Sequence, residues 1–234
     1  MSRFLLALGA VAALALSPAV LDAADDGYLT GTLDLTGVLQ PAPVKGDVRY
    51  EADRKIFLAT RALVGTPRWD LAVSDVKASP ADMLRDFSCA AGVALTPDNA
   101  PRLVAFVSRA GRDTSRATKN AKDHFKRDRP FLVDAVDDAK VCEPVKELSD
   151  SFDYPSGHTT WGWTWATILA ELVPERAAAI LARGRAYGES RVVCGAHNAS
   201  AVEAGRLSAS ATLSAVRASL VYQDDFKAAR DELD

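Results

Sequence analysis

From about Arg49 onward, apolar residues recur at helical intervals, and the strict alternation of a half-buried strand is nowhere sustained. Ser79-Pro80 has the form of an N-cap followed by proline at the first helical position, and a helix over 82–95 follows, with Met83, Phe87 and Val93 among its apolar residues. Thr96-Pro97 repeats the device, and Leu103, Phe106, Val107 and Ala110 then keep helical spacing. Gly111 predicts a break or bend. The helix resumes over 113–126 and ends before Arg129-Pro130. The segment 131–155, charged and proline-containing, reads as a connection long enough to be functional. Residues 159–172 are strongly apolar and carry Trp161, Trp163 and Trp165, which predicts a buried helix with core positions for at least two of the three indoles. Pro174 opens a helix to about Gly188, and Ser190 to about Tyr222 supplies one or two more. The expected fold class is all-α, a single-domain helical bundle over 48–234.

The N-terminus is patterned differently. Arg3 precedes a short apolar run from Phe4 to Leu16, with small residues around Ser17, Ala19 and Ala23. That run is too short to span a bilayer comfortably, so residues 1–23 read as a secretory signal peptide. Its cleavage site is open between the Ser17-Pro18-Ala19 region and Ala23 or Ala24. Residues 24–47, rich in Gly, Pro, Thr and Leu, read as an extended N-terminal arm lying over the domain surface. No later segment carries ~18 uninterrupted apolar residues, so no membrane association is expected after signal cleavage, and the protein is expected in the periplasm or secreted.

Composition narrows the chemistry. With 48% hydrophobic and 25% charged residues, the 234-residue chain is ordinary globular material. A net charge of -3 argues against nucleic acid as a partner, so any affinity for an anion has to come from a local cluster of cations. Three cysteines, Cys89, Cys142 and Cys194, allow three alternative single disulfides in an exported chain, and spacing does not choose among them. No pair has CxxC spacing, which disfavours a thiolate metal site.

Three segments carry candidate chemistry: Lys122 to Arg129-Pro130, Tyr154-Pro155-Ser156-Gly157-His158-Thr159, and Gly188-Glu189-Ser190-Arg191 to His197. In isolation each has a plainer reading, as a solvated basic helix end, a turn before a helix, and a capped helix with a core histidine. Two of the chain's three histidines fall in these segments, in the order Lys-x6-Arg-Pro, Pro-Ser-Gly-His, Ser-Arg-x5-His. The third, His124, reads as a structural or surface residue.

This ordered set resembles the type 2 phosphatidic acid phosphatase superfamily, which includes the vanadium haloperoxidases, and within it the bacterial class A non-specific acid phosphatases. Asp86-Phe87-Ser88-Cys89 and Ala121-Lys122-Asp123-His124 belong to the same likeness. The resemblance implies a broad-specificity phosphate monoesterase that needs no cofactor or metal and is inhibited by inorganic phosphate or vanadate. Phosphate would be bound by Lys122, Arg129, Ser156, Gly157 and Arg191, with a phosphohistidine on His197 and His158 as general acid. Physical chemistry agrees with these roles. Arginine forks suit oxyanions, glycine admits a close approach of backbone N–H, and a helix N-terminus favours an anion. Membrane lipid phosphatases share the motif but carry several transmembrane helices, and haloperoxidase chains are much longer. Helical-bundle relatives commonly self-associate, so a homo-oligomer is a further expectation.

One position departs from the pattern. The family places an aspartate four residues after the nucleophilic histidine, where this chain has Ala201. Ser200 could substitute only weakly, and Glu203 points to another helix face. The sequence therefore predicts phosphate binding with weakened catalysis, improved by Ala201→Asp. Its alternative is a non-catalytic phosphate- or phosphoester-binding protein on the same scaffold.

Overall fold

The computed structural model describes residues 27–134 and 136–234, so the predicted signal peptide and its cleavage site lie outside the described residues. Among the described residues there is no strand. Ten α-helices follow one another: α1 (Val48–Thr60), α2 (Pro67–Ser74), α3 (Pro80–Ala91), α4 (Pro101–Phe125), α5 (Pro130–Val133), α6 (Val145–Leu148), α7 (Gly157–Leu172), α8 (Ala177–Val193), α9 (Ala199–Val216) and α10 (Leu220–Leu233). The fold is all-α, as the periodicity predicts.

Helix α7 is the centre of the bundle and packs against α4, α8 and α9. Its sequence is apolar on nearly every side because it is surrounded, with Trp165, Ala166, Ile168 and Leu169 fully buried. Trp165 sits in the main core, while Trp161 and Trp163 pack at its edge and donate their indole N–H groups to the Ala78 carbonyl and the Ser210 hydroxyl. Residues 27–47 form turns and bends rather than helix, and Leu35 and Leu39 bury against Ala117, Ala121, Tyr154 and Ala201.

Four local expectations change. Helix α4 does not break at Gly111 but runs unbroken through it. A Cβ at 111 would lie 2.2 Å from the Trp161 ring, so this glycine serves helix packing. Thr96-Pro97 does not open α4. The Thr96 hydroxyl accepts from the Asn99 amide within a turn, and the helix begins at Pro101. Helix α8 continues past Gly188, where the missing side chain admits Thr159 and Val202. The connection over 131–155 contains the short helices α5 and α6. Ser79 behaves as predicted, forming a reciprocal capping box with Asp82.

Candidate active site

The three sequence segments arrive at one place by different routes. Lys122 lies in the last turn of α4. Arg129 is the N-cap of α5, Ser156 caps α7, Gly157 and His158 form the first turn of α7, Arg191 is in the last turn of α8, and His197 follows α8 in the turn that leads to α9. The turn of α7 is tied to α9 by the Ser156 amide, which donates to the Ala201 carbonyl at 2.9 Å.

The cations are buried and held from behind. Arg129, 5% exposed, donates Nε to the Ser151 carbonyl and Nη1 to the Ala196 carbonyl, both at 2.7 Å. The same Nη1 lies 3.2 Å from Nε2 of His197. Lys122 donates to the Phe152 carbonyl. Burial, reinforced by Arg129, pulls its ammonium down to about 7. Arg191, 3% exposed, gives Nη2 to Glu143, while its Nε and Nη1 are buried without a hydrogen-bond partner among the described residues. Two orphaned guanidinium donors in a polar pocket are costly unless an anion meets them.

Ser156 is fully buried. Its hydroxyl oxygen accepts from the Thr159 amide and the Thr159 hydroxyl, which leaves its own proton to donate. Gly157 and Lys122 line a cavity of about 480 Å³ together with Ser115, Thr118, Ser151 and Phe152. A Cβ at 157 would stand 3.9 Å from the Lys122 side chain, an ordinary contact, so the two residues are neighbours at this edge of the cavity.

The two histidines have fixed tautomers. Nε2 of His158 is 2.6 Å from the Asp75 carbonyl, which can only accept, so Nε2 carries hydrogen and Nδ1 is the nitrogen that exchanges a proton. The ring stacks on Tyr187, with centroids 4.8 Å apart and planes 5° from parallel. For His197, the Arg129 guanidinium faces Nε2, and Nδ1 lies 2.9 Å from Oδ1 of Asp153. An arginine cannot accept, so the neutral ring carries its proton on Nδ1 and its lone pair on Nε2. Burial holds both imidazoles well below the ordinary histidine range, assisted by Arg191 at His158 and by Arg129, Lys122 and Arg191 at His197.

Asp153 corrects one part of the sequence reading, the absence of a carboxylate from the His197 ring. With Ala201 in place of the expected aspartate, the imidazole N–H was expected to lack a carboxylate, and that absence was the ground for weakened catalysis. Asp153, fully buried in the loop before α7, accepts from Nδ1 of His197 at 2.9 Å. Ser200 does not reach the ring. It bonds Asp53 through its amide and hydroxyl and accepts from Arg127. Glu203 is exposed and pairs with Arg206. Sequence reasoning also missed Glu143 and Asp75. The side chain of Asp75 accepts from Ser190 and from Arg183, both at 2.6 Å, and so braces the helix that carries Arg191. The signal for Asp153 was an acidic residue three places before the N-cap serine of a buried motif. His124 is exposed and packs edge-on to Phe125, away from these groups. Cys142 and Cys194 form a disulfide, and Cys89 is free and exposed.

Comparison with known proteins places the chain in one family. Positions 104–225 match the family model described as PAP2 superfamily. The chain is 42% identical over 198 residues to an acid phosphatase of Zymomonas mobilis subsp. mobilis, a match covering 84% of this chain and 74% of that protein. It is 33% identical over 201 residues to the non-specific acid phosphatase of Salmonella typhimurium, covering 83% and 78% of the two chains. The non-specific acid phosphatase of Providencia stuartii is likewise 33% identical over 201 residues, covering 86% and 81%.

Proposed function

Because this chain belongs to the PAP2 superfamily, and within it to the acid phosphatases, we propose that it hydrolyses a broad range of phosphate monoesters through a phosphohistidine on His197. The observation that carries this reading is the pair of buried, unpartnered donors on Arg191, whose charge acts on both imidazoles alongside Lys122 and Arg129 at His197. In the proposed complex the phosphoryl oxygens take up Nε and Nη1 of Arg191, the Lys122 ammonium, the Ser156 hydroxyl and the first-turn N–H groups of α7. A transferring phosphoryl group spreads charge over its equatorial oxygens, so fixed donors at those points are the main catalytic device.

The substrate binds as its monoanion and passes its proton to Nδ1 of His158; Nε2 of His197 then attacks phosphorus as the ester P–O bond breaks, and the departing alkoxide takes that proton from Nδ1. A water then attacks the phosphohistidine. His158, now neutral, removes its proton, and inorganic phosphate leaves. Inorganic phosphate and vanadate compete for the same donors. Export to the periplasm or beyond belongs to this proposal. Its supports are the apolar N-terminus and the Cys142–Cys194 disulfide, a bond that persists in oxidising compartments. No helix of the described residues is long and apolar enough to cross a membrane. With a carboxylate on the His197 ring, no observation favours the non-catalytic alternative.

The test is turnover of p-nitrophenyl phosphate with acid-quench trapping of labelled enzyme. The expected result is an acid-labile, base-stable phosphoenzyme that vanishes in His197→Ala. Steady turnover by His197→Ala would end the reading.

A further inference from the structure

We infer that Asp153 is the positioning carboxylate of His197, supplied across the site from the loop before α7 and not from the helix that follows the histidine. The inference rests on the assignment of His197 as nucleophile. The geometry is specific. Oδ1 of Asp153 accepts from Nδ1 of His197 at 2.9 Å and from the Asn198 amide at 3.1 Å, and Oδ2 accepts from the Asn198 side chain at 2.8 Å. Nη1 of Arg127 stands 3.5 Å from Oδ2. Complete burial raises the pKa of this carboxyl, and the donors of Asn198 with the charges of Arg127 and Arg129 oppose that rise; every group bonded to the carboxylate is a donor, which is the arrangement that serves the ionised form.

The loop is pinned so that this placement is rigid. The Asp153 amide donates to the Arg127 carbonyl at 2.8 Å, and the Arg127 guanidinium is held by Asp53 at 2.8 Å and by the Ser200 hydroxyl at 2.7 Å. Arg127 therefore has a closer acidic partner than Asp153, and the short contacts of Asp153 go to His197 and Asn198. A plain structural ion pair would show the opposite order of distances. One helical turn beyond His197, Ala201 contributes a fully buried methyl, and no acid is present there.

The chemical consequence follows from the tautomer. Arg129 faces Nε2, and an Nδ1–H donated to Asp153 keeps that nitrogen's lone pair available. When Nε2 forms its bond to phosphorus the ring becomes cationic, and Asp153 is the adjacent buried anion that stabilises it. Asp153 touches neither phosphate nor leaving group. It acts through the imidazole.

The experiment uses the full chain as Asp153→Asn, Asp153→Ala, Ala201→Asp and the double variant Asp153→Ala/Ala201→Asp. For Asp153→Asn, which keeps the shape and removes the charge, the expected loss in kcat is ~10²–10⁴-fold, the range set by orienting acids in other hydrolases. KM and the Kd for inorganic phosphate should stay within about threefold, because the anion's ligands are untouched. Nitrogen NMR of the imidazole should show the wild-type ring protonated at Nδ1 and that preference lost in Asp153→Ala. The double variant should regain turnover over Asp153→Ala, while Ala201→Asp alone should lower it by placing two buried acids on one ring. Wild-type kcat in Asp153→Asn with an unchanged ring tautomer overturns the inference. If His197→Ala itself retains turnover, the assignment of the nucleophile has failed instead, and the NMR arm still reports whether Asp153 sets the tautomer.

Discussion

Glu143 accepts a hydrogen bond from Nη2 of Arg191, and that contact occupies only one edge of the guanidinium, leaving Nε and Nη1 buried and without a partner among the described residues. The carboxylate orients the fork and also sets a negative charge beside the proposed phosphate site. Glu143→Gln keeps an acceptor for Nη2 and removes the charge. Inorganic phosphate should then bind more tightly, by about fivefold, equivalent to about 1 kcal/mol for a partly solvated charge pair. Titration calorimetry checks this. Weaker binding would mean that the charge of Glu143, and not its position, is what prepares Arg191.

Lys122 predicts how binding responds to pH. Its ammonium is pulled down to about 7 by burial first and by Arg129 next, so the empty site loses this charge as pH rises through neutrality. An anion needs the charged form, so above about pH 7 binding must take up one proton, and affinity should fall about tenfold per pH unit. Sulfate is a suitable probe because it stays dianionic throughout. Its Kd should climb from pH 7 to 9 in the wild type and stay flat in Lys122→Arg, whose guanidinium does not titrate in that range. Turnover should favour acid for a second reason. His158 must be protonated to act as general acid, and burial holds it well below the ordinary histidine range.

A packing contact links the core to the general acid. A Cβ at Gly162 would lie 2.2 Å from Cδ1 and 2.7 Å from Cε1 of Tyr187, a fully buried ring with no room to retreat. Tyr187 is the ring on which His158 stacks. Gly162→Ala should cost ~1–3 kcal/mol of stability through overpacking. It should also lower kcat more than phosphate affinity, because the displaced ring carries His158 with it. Thermal unfolding and steady-state kinetics measure the two effects. Gly37→Ala, where nothing lies within 4 Å of the added carbon, is the control and should change neither.

The candidate phosphate-binding residues were legible in the sequence as a set because four are charged or hydroxyl side chains and the fifth a glycine, each at a fixed spacing within a single short segment. Asp153 was not legible as a partner of His197 because the contact spans 44 residues and exists only once the loop before α7 folds across the turn after α8. Ala201 could therefore be seen as a loss, while the carboxylate that meets the His197 ring stood unmarked in Phe152-Asp153-Tyr154. Gly111 failed for a related reason. Local propensity makes glycine a helix breaker, but the approach of Trp161 from α7 decides the matter, and local sequence carries no record of it. The apolar run of α7 gave its central position directly, since only a helix enclosed on nearly all sides can afford so few polar residues.

The disulfide, which sequence left open among three pairings, carries the last prediction. Cys142 and Cys194 are 52 residues apart, and the Cys142 amide also donates to the Cys194 carbonyl at 3.0 Å, so the bond fastens the stretch bearing Glu143 to the end of α8. Closing a loop of that length stabilises a fold by ~2–4 kcal/mol through the unfolded state. For a chain of this size, each kcal/mol moves Tm by ~2–4 °C, so reduction or Cys142→Ser should lower it by roughly 4–16 °C. The loosened segment should also release Glu143 from Arg191, raising KM more than it lowers kcat. Cys89→Ser, at an exposed free thiol, should leave Tm and kinetics unchanged. Scanning calorimetry with and without reductant, followed by assay below the lowered Tm, measures both effects. A reduced enzyme with wild-type KM would show that the contacts of Arg191 do not depend on the bridge.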